Sequence, residues 1–527
     1  MSKKKPKRSG KSTVSTQGKL ILSARRFDYL FLLFILAASL FLFLFNLGNH
    51  YLWQDEAQTA LISQTILDHG VPKGTDGRNF FSQELQAEYG DNYIWKWHTW
   101  LPFYILSVFF AVLPDSTFVA RLPFALFGVG SIFLTYAFCA KLWQNKRIAM
   151  IAAILLIFCI PFLILLRQCR YYSLAAFFSL WGLYAYIGIL NQTKRAVLYF
   201  IIAATLLFHT HYLYCATLLA TAVVHCLVFH RNRLKDILLS SIIIALINVP
   251  WILWLSGMKY GEQYKGFFDF DKILNFAGRY FQQIGAHVFQ PLLLLILPLV
   301  IVVGRIKNRD FIKNILQDRM LWSRLGLLLF FIFINLIALF IISPAPFFRY
   351  LAPLIPIIII LASLLVYAAK HIHKIFIPVI TLVLIVFSPI KDYGYELTHD
   401  YDGPIEGIVK YLSEHADPDD MVAITYGDMP LKFYTDLRII GGLAGEDLSL
   451  TAPQARWVII RRNVVSGKDQ AVGRYLMENL PLTNPQKYRP IPLRYPDIRF
   501  ENREDPAEHH FRTVNSGYKV IIYQKID

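Results

Sequence analysis

The sequence predicts a polytopic α-helical membrane protein with a soluble α/β domain at its C-terminal end. Three observations lead there. Between Phe27 and about Ile390, apolar blocks recur that are long enough to cross roughly 30 Å of hydrocarbon, with short polar loops between them. Only 17% of the 527 residues are charged and 55% are hydrophobic, whereas soluble chains average about 25% charged. After Pro389 the blocks stop, and a polar tail of about 135 residues follows, long enough to fold as a domain. The expected organisation is a basic cytoplasmic tail (1–27), a membrane region (28–390) and an α/β domain (391–527).

The formal net charge of +17 is unevenly spread. Residues 1–27 hold nine Lys or Arg and no acid, while from Lys391 onward 17 basic residues stand against 21 acidic ones. A basic segment directly ahead of a membrane helix reads as a cytoplasmic anchor rather than a nucleic-acid arm. The apolar run behind it lacks a small-residue cleavage site, so it is not a removable signal. The basic loops 141–147, 191–195, 230–236, 304–324 and 370–374 fall on the cytoplasmic side by the positive-inside bias. The loops 48–98, 167–173, 208–214, roughly 256–287 and 343–350 then face outside.

Between the first two outer loops lie apolar blocks at about 101–113, 121–140 and 148–166. Loops on one side are joined by an even number of spans, so one of these blocks does not cross. The first is the shortest and is expected to be a re-entrant or surface helix. About eleven spans result, and the C-terminal domain is placed outside the cytoplasm, in the periplasm if the membrane is a bacterial inner membrane. Cys139, Cys159, Cys169, Cys215 and Cys226 lie in or beside apolar blocks without ligand spacing, so they read as small apolar residues.

Asp55 and Glu56 follow directly on the first apolar block, in "LWQDEAQ". An acidic pair at the waterline has two readings. The structural one is a capping box, with Asp55 as N-cap and Gln58 at N3 of a surface helix. The chemical one is a base, and a carboxylate fixed at a helix start suits that too. The same loop interleaves Phe80, Phe81, Tyr89, Tyr93, Trp95, Trp97 and Trp100 with Arg78, Glu84, Lys96 and His98. That is either an interfacial aromatic belt or a platform for sugar rings. Arg167 and Arg170 in "RQCRYYS", His209 and His211 in "FHTHYLY", and Arg349 with Tyr350 in "APFFRYLAPLIP" add cations and donors at outer helix ends. One acidic pair facing several cations suits displacement of a phosphate leaving group.

"LWQDEA" after the first span, then "ARLPFALFG", "RQCRYY" and "RYLAPLIP", in that order and spacing, resemble the GT-C membrane glycosyltransferases. The likeness covers most of residues 28–390 and is greatest to the glycosyltransferase family 39-like enzymes. These include the protein O-mannosyltransferases and the related lipid A aminoarabinose transferase. The resemblance implies a GT-C fold and inverting transfer of a sugar from a polyprenyl-phosphate donor to an acceptor on the outer membrane face. It makes Asp55 the catalytic acidic residue, with Glu56 its partner. Lys96 or His98 stands where the aminoarabinose enzyme has a Glu-Lys pair, Tyr172 where it has a second Asp, and His211 near its later lysine. Tyr350 falls at a donor-binding tyrosine, with Arg349 beside it; Arg170 is a further phosphate candidate. Losing the second Asp and the lysine argues against aminoarabinose transfer to lipid A in particular. The resemblance requires no metal, although a divalent cation near Asp55 and Glu56 stays open. The partners implied are a lipid-linked sugar, a glycan, lipid or protein acceptor, and membrane lipids, with no nucleic acid.

In the tail, "GPIEGIVKYLSEH" and "MPLKFYTDL" read as helices, and "DDMVAITY", "ARWVIIRR" and "YKVIIYQKI" as strands of an open sheet. No phosphate-cradling glycine motif accompanies them. The domain is expected to cover the site or to help bind the acceptor. The rival function is a transporter or flippase of a lipid-linked saccharide, but such proteins place polar residues at the midplane and carry inverted repeats. A scaffold whose tail is the working part would leave the acidic pair without a role.

Overall fold

The computed structural model describes residues 13–90, 92–255, 269–442, 448–462, 475, 476, 478, 486–498 and 506–526. Residues 1–12 of the basic tail and 256–268 of an expected outer loop lie outside these. The chain enters through α1 (Thr13–Leu44), followed by α2 (Gln54–His69) and the short α3 (Leu101–Phe110). The helical body continues with α4 (Thr117–Trp143), α5 (Lys146–Ile157), α6 (Ile160–Leu166), α7 (Tyr172–Leu190), α8 (Ala196–Thr210) and α9 (Tyr212–Phe229). Then come α10 (Leu234–Leu255), α11 (Phe270–His287), α12 (Ile296–Lys307), α13 (Phe311–Gln317), α14 (Arg319–Ile342), α15 (Ile355–Ala368), α16 (Phe376–Val386) and α17 (Ile390–Thr398).

Local chemistry sets the boundaries. Ser116 caps α4 by accepting the Val119 N–H, and Asn145 caps α5 through Arg147. Gly70 ends α2 at φ +70°, a conformation only glycine adopts freely. Three helices are bent by 67°, 81° and 53°, at breaks next to Pro161, Pro291 and Pro389. Proline lacks the N–H and clashes with the preceding turn, so each helix restarts in a new direction. At Gly128 of α4 an added β-carbon would come within 2.4 Å of the Phe43 ring, so glycine there permits α1 and α4 to pack closely.

Among the described residues, five helices are long and apolar enough to cross a membrane, or eight if each bent pair is one span. The expected eleven would also need the shorter apolar helices Asp28–Leu44, Ala196–Thr210 and Ile355–His371. With ten residues, α3 reaches only about 15 Å, half the hydrocarbon depth. Side chains such as Leu246, Leu253 and Val302 stand exposed on helix faces, as apolar residues facing lipid do.

Beyond α17, α18 (Pro404–His415) and α19 (Asp428–Tyr434) accompany a sheet of β1 (Met421–Ile424), β2 (Arg438–Gly441), β3 (Trp457–Ile459), β4 (Tyr488–Pro496) and β5 (Lys519–Lys525). Its order is β2-β1-β3-β5-β4, with β1 parallel to β2 and β3, and β5 antiparallel to β3 and β4. The sheet is therefore mixed. Two strands, β2 and β4, were not foreseen from the sequence. Pro490, Pro492 and Pro496 confine β4 to an edge, because proline cannot donate to a ladder on both sides. Ile405, Ile408 and Leu412 of α18 pack on Val422, Ile424 and Trp457 to form the core beneath the sheet.

Candidate active site

Asp55 and Glu56 are adjacent on α2 and therefore point about 100° apart. The helix starts two residues earlier than the capping-box reading placed it, with Trp53 as N-cap and Asp55 in the first turn. The Glu56 carboxylate, at N3, turns back to accept the Trp53 N–H at 3.4 Å, which explains the shift.

The two carboxylates have different surroundings. Asp55 keeps 17% of its side chain open. Its Oδ2 takes Arg349 Nη1 at 3.1 Å and Arg170 Nη2 at 3.5 Å, and its Oδ1 accepts from Gln83 Nε2 at 3.3 Å. Glu56 is fully buried and saturated. Arg121 grips it in two-pronged fashion at 2.8 and 2.6 Å, and the Cys169 N–H donates to it at 2.7 Å. The same Arg121 donates to the carbonyls of Leu47, His50 and Tyr51, tying the exit of α1 to the start of α2. Because Glu56 fixes residue 169, it also fixes the backbone that carries Arg170. Arg170 in turn donates to the Asp55 carbonyl at 3.1 Å and to Thr59 Oγ1 at 2.9 Å.

Around Asp55 the cationic side is completed by groups far apart in sequence. Burial first, then the neighbouring Arg170, His211 and Arg349, hold the His98 pKa well below the usual imidazole range. Burial and Arg170 push His211 down to about 4. Both shifts favour the neutral imidazole. The His211 Nδ1 is buried and has no hydrogen-bond partner among the described residues. Tyr171 and Tyr214 flank the His211 ring at 4.9 and 4.7 Å, and the Tyr214 hydroxyl donates to the Tyr350 carbonyl at 3.0 Å. The Arg349 guanidinium lies 4.2 Å from the Phe347 ring centre.

The structure thus gathers Asp55, Arg170, His98, His211, Arg349 and Tyr350 in one place. Tyr172 sits nearby against Tyr171 but is fully buried. Lys96 lies over Trp254 at 5.5 Å, beside the Trp100, Trp251 and Trp254 cluster. Arg167 bonds the Tyr393 hydroxyl and the carbonyls of Phe45 and Asn46, a bracing role. Sequence reading missed Gln83 and Arg121. An arginine inside the apolar run of α4 was the available signal for Arg121, since charge there is costly without a partner. Gln83 left none. Among the described residues, no group of three or more His, Cys, Asp or Glu side chains is arranged to hold a metal ion.

This arrangement, a carboxylate at the first juxtamembrane helix opposed by cations from two later loops, lies on the GT-C fold. The structure superimposes on apo ArnT from Cupriavidus metallidurans with a TM-score of 0.54 and 15% identity, covering 95% of this chain and 98% of that one. The same protein bound to undecaprenyl phosphate gives 0.52 and 12%, covering 93% and 97%. In sequence, the undecaprenyl phosphate-alpha-4-amino-4-deoxy-L-arabinose arabinosyl transferase 1 of Pseudomonas fluorescens (strain Pf0-1) is 25% identical over 261 residues. That match spans 46% of this chain and 42% of the relative's length. No family model matches the chain. The resemblance read from the motifs is matched by these relatives, and the fold is that of the GT-C membrane glycosyltransferases.

Proposed function

We propose that the chain is an inverting glycosyltransferase that moves a sugar from a polyprenyl-phosphate donor to an acceptor hydroxyl or phosphate at the extracytoplasmic membrane face. The observation that carries this reading is the partly open Asp55 carboxylate held between Arg170 and Arg349. The reaction forms a bond from the acceptor oxygen to the anomeric carbon and breaks the bond from that carbon to the phosphate oxygen. Asp55 orients the acceptor and takes its proton. The departing electron pair settles on the phosphate, where two guanidiniums and the His98 and His211 imidazoles receive it.

In the resting site both guanidiniums are engaged with Asp55. A donor phosphodiester spreads its negative charge over two free oxygens, so it can take both guanidiniums at once and frees Asp55 to face the acceptor. Phosphate is a good leaving group, so the protein contributes mainly position and electrostatics. Glu56, saturated by Arg121 and the Cys169 amide, is a positioning group in this scheme. The donor class is supported by what the Pseudomonas relative's name states and by the undecaprenyl phosphate bound to the Cupriavidus protein.

The test uses purified protein in detergent with a panel of polyprenyl-phosphate sugars and candidate acceptors. Wild type is expected to consume one donor. Asp55→Asn is expected to lower turnover by about 10²–10⁴-fold while still binding polyprenyl phosphate. Equal turnover by both would remove Asp55 from the chemistry. Donor bound but never consumed by either would favour a transporter.

A further inference from the structure

The segment "YGDMPLKFYTD" of the tail reaches the membrane region through an ion pair. Lys432 and Asp428, one turn apart on α19, meet at 2.7 Å with both side chains fully buried. Each partner spends its remaining bonding outward, on the neighbourhood of Asp55. Asp428 Oδ1 accepts from Gln54 Nε2 at 2.6 Å, and Gln54 directly precedes Asp55. Lys432 Nζ donates to the Phe80 carbonyl at 2.7 Å. Phe80 opens the turn that delivers Gln83 to Asp55 Oδ1. The rest of that turn is rigid: the Glu88 carboxylate accepts the N–H groups of Gln83 and Glu84 and the Ser82 hydroxyl, and Gln58 Nε2 bonds the Phe81 carbonyl. Asn79 is clamped to the sheet by the Ile439 N–H and the Leu437 carbonyl.

Resting on the glycosyltransferase reading above, we infer that Lys432 and Asp428 are positioning residues for the reaction, acting through Gln54 and through the Phe80–Gln83 turn to set the Asp55 carboxylate. A fully buried ion pair is poor value as a plain docking contact, because desolvating two charges cancels most of their attraction. What this pair does, alongside the direct Gln58–Phe81 bond, is hold the two segments that converge on Asp55, α2 from one side and the Gln83 turn from the other, at a fixed separation. The alternative is that it merely docks the domain. The two differ in consequence. A docking contact affects how much folded protein exists, whereas a positioning pair affects the rate of the folded enzyme, since a displacement of about 1 Å at a reacting group costs on the order of 100-fold.

The experiment compares wild type, Lys432→Met, and the neutral pair Asp428→Asn with Lys432→Met, which leaves no uncompensated charge in the core. Melting temperature, polyprenyl-phosphate binding, KM and kcat are measured for each, with Gln83→Leu alone and combined with Lys432→Met. The inference expects the neutral pair to melt near wild type and bind polyprenyl phosphate normally, with kcat down about 10- to 100-fold and KM little changed. It also expects Gln83→Leu to add little once Lys432 is replaced, because both act on the same oxygen. A neutral pair with wild-type kcat, or full additivity with Gln83→Leu, would overturn it. A wild-type protein that turns over no donor would instead defeat the glycosyltransferase reading itself.

Discussion

At the scale of single residues, the neighbours Asp55 and Glu56 carry the same charge but separate tasks. Glu56 has no exposed surface and each of its oxygens is engaged by Arg121. Glu56→Gln leaves Arg121 buried beside a neutral amide, which costs about 3–5 kcal/mol when a buried pair loses one partner. Asp55→Asn removes a carboxylate that is 17% open, and Arg170 keeps its bonds to the Asp55 carbonyl and Thr59, so it should cost less stability than Glu56→Gln. Thermal unfolding in detergent is expected to show Glu56→Gln more strongly destabilised than Asp55→Asn. Similar melting of both variants would mean that Glu56 is not the brace described. The identity of the acidic pair was legible in the sequence. Which member faced the cations was not, because the answer depends on Arg121, 65 residues away.

At the scale of elements, α18 brings a buried carboxyl to the loop between α1 and α2. Glu406 accepts the Tyr51 N–H at 2.9 Å, and burial pushes its pKa up to about 7 against the lowering pull of that N–H, Arg121 and Arg461. A carboxyl whose pKa rises on folding binds more protons folded than unfolded between its ordinary value near 4.5 and about 7. Stability from this group is therefore full below that window and falls as pH rises through it. The size is on the order of 3 kcal/mol. Melting temperature is expected to fall from pH 5 to 7.5 in wild type, and to fall less in Glu406→Gln, which keeps the accepting oxygen. Parallel pH profiles would show that Glu406 does not govern this joint. Helix starts and breaks are local effects, set by Ser116, Asn145 and the prolines, but reading by apolar blocks passed over them and left 148–166 as one unbroken block. The extra strands were not legible, because β2 is only four residues and β4 is proline-rich.

At the scale of the molecule, the proposed topology places the loop at residue 147 in the cytoplasm and α18 outside. Arg147 and Glu414 are both exposed, and every native cysteine is buried. In intact cells a membrane-impermeant thiol reagent is expected to label Glu414→Cys and not Arg147→Cys until the membrane is opened. Labelling of both from one side would reject the topology. The same layout accounts for the mildly acidic tail beside a basic membrane region: a folded domain outside the cytoplasm is free of the constraint that holds Lys and Arg inside.

Taken alone, the sequence determined what depends on composition and near neighbours: apolar blocks, loop charges, proline breaks, an acidic pair at a helix start, and the resemblance that names the fold. Tertiary structure alone decided which side chains meet. Asp55 finds Gln83, Arg170 and Arg349 at separations of 28, about 115 and 294 residues, and Gln54 finds Asp428 at 374. Contacts at such distances leave no periodic trace in a single chain. Their geometry is set by how buried charges must pair once the helices and the sheet have packed together.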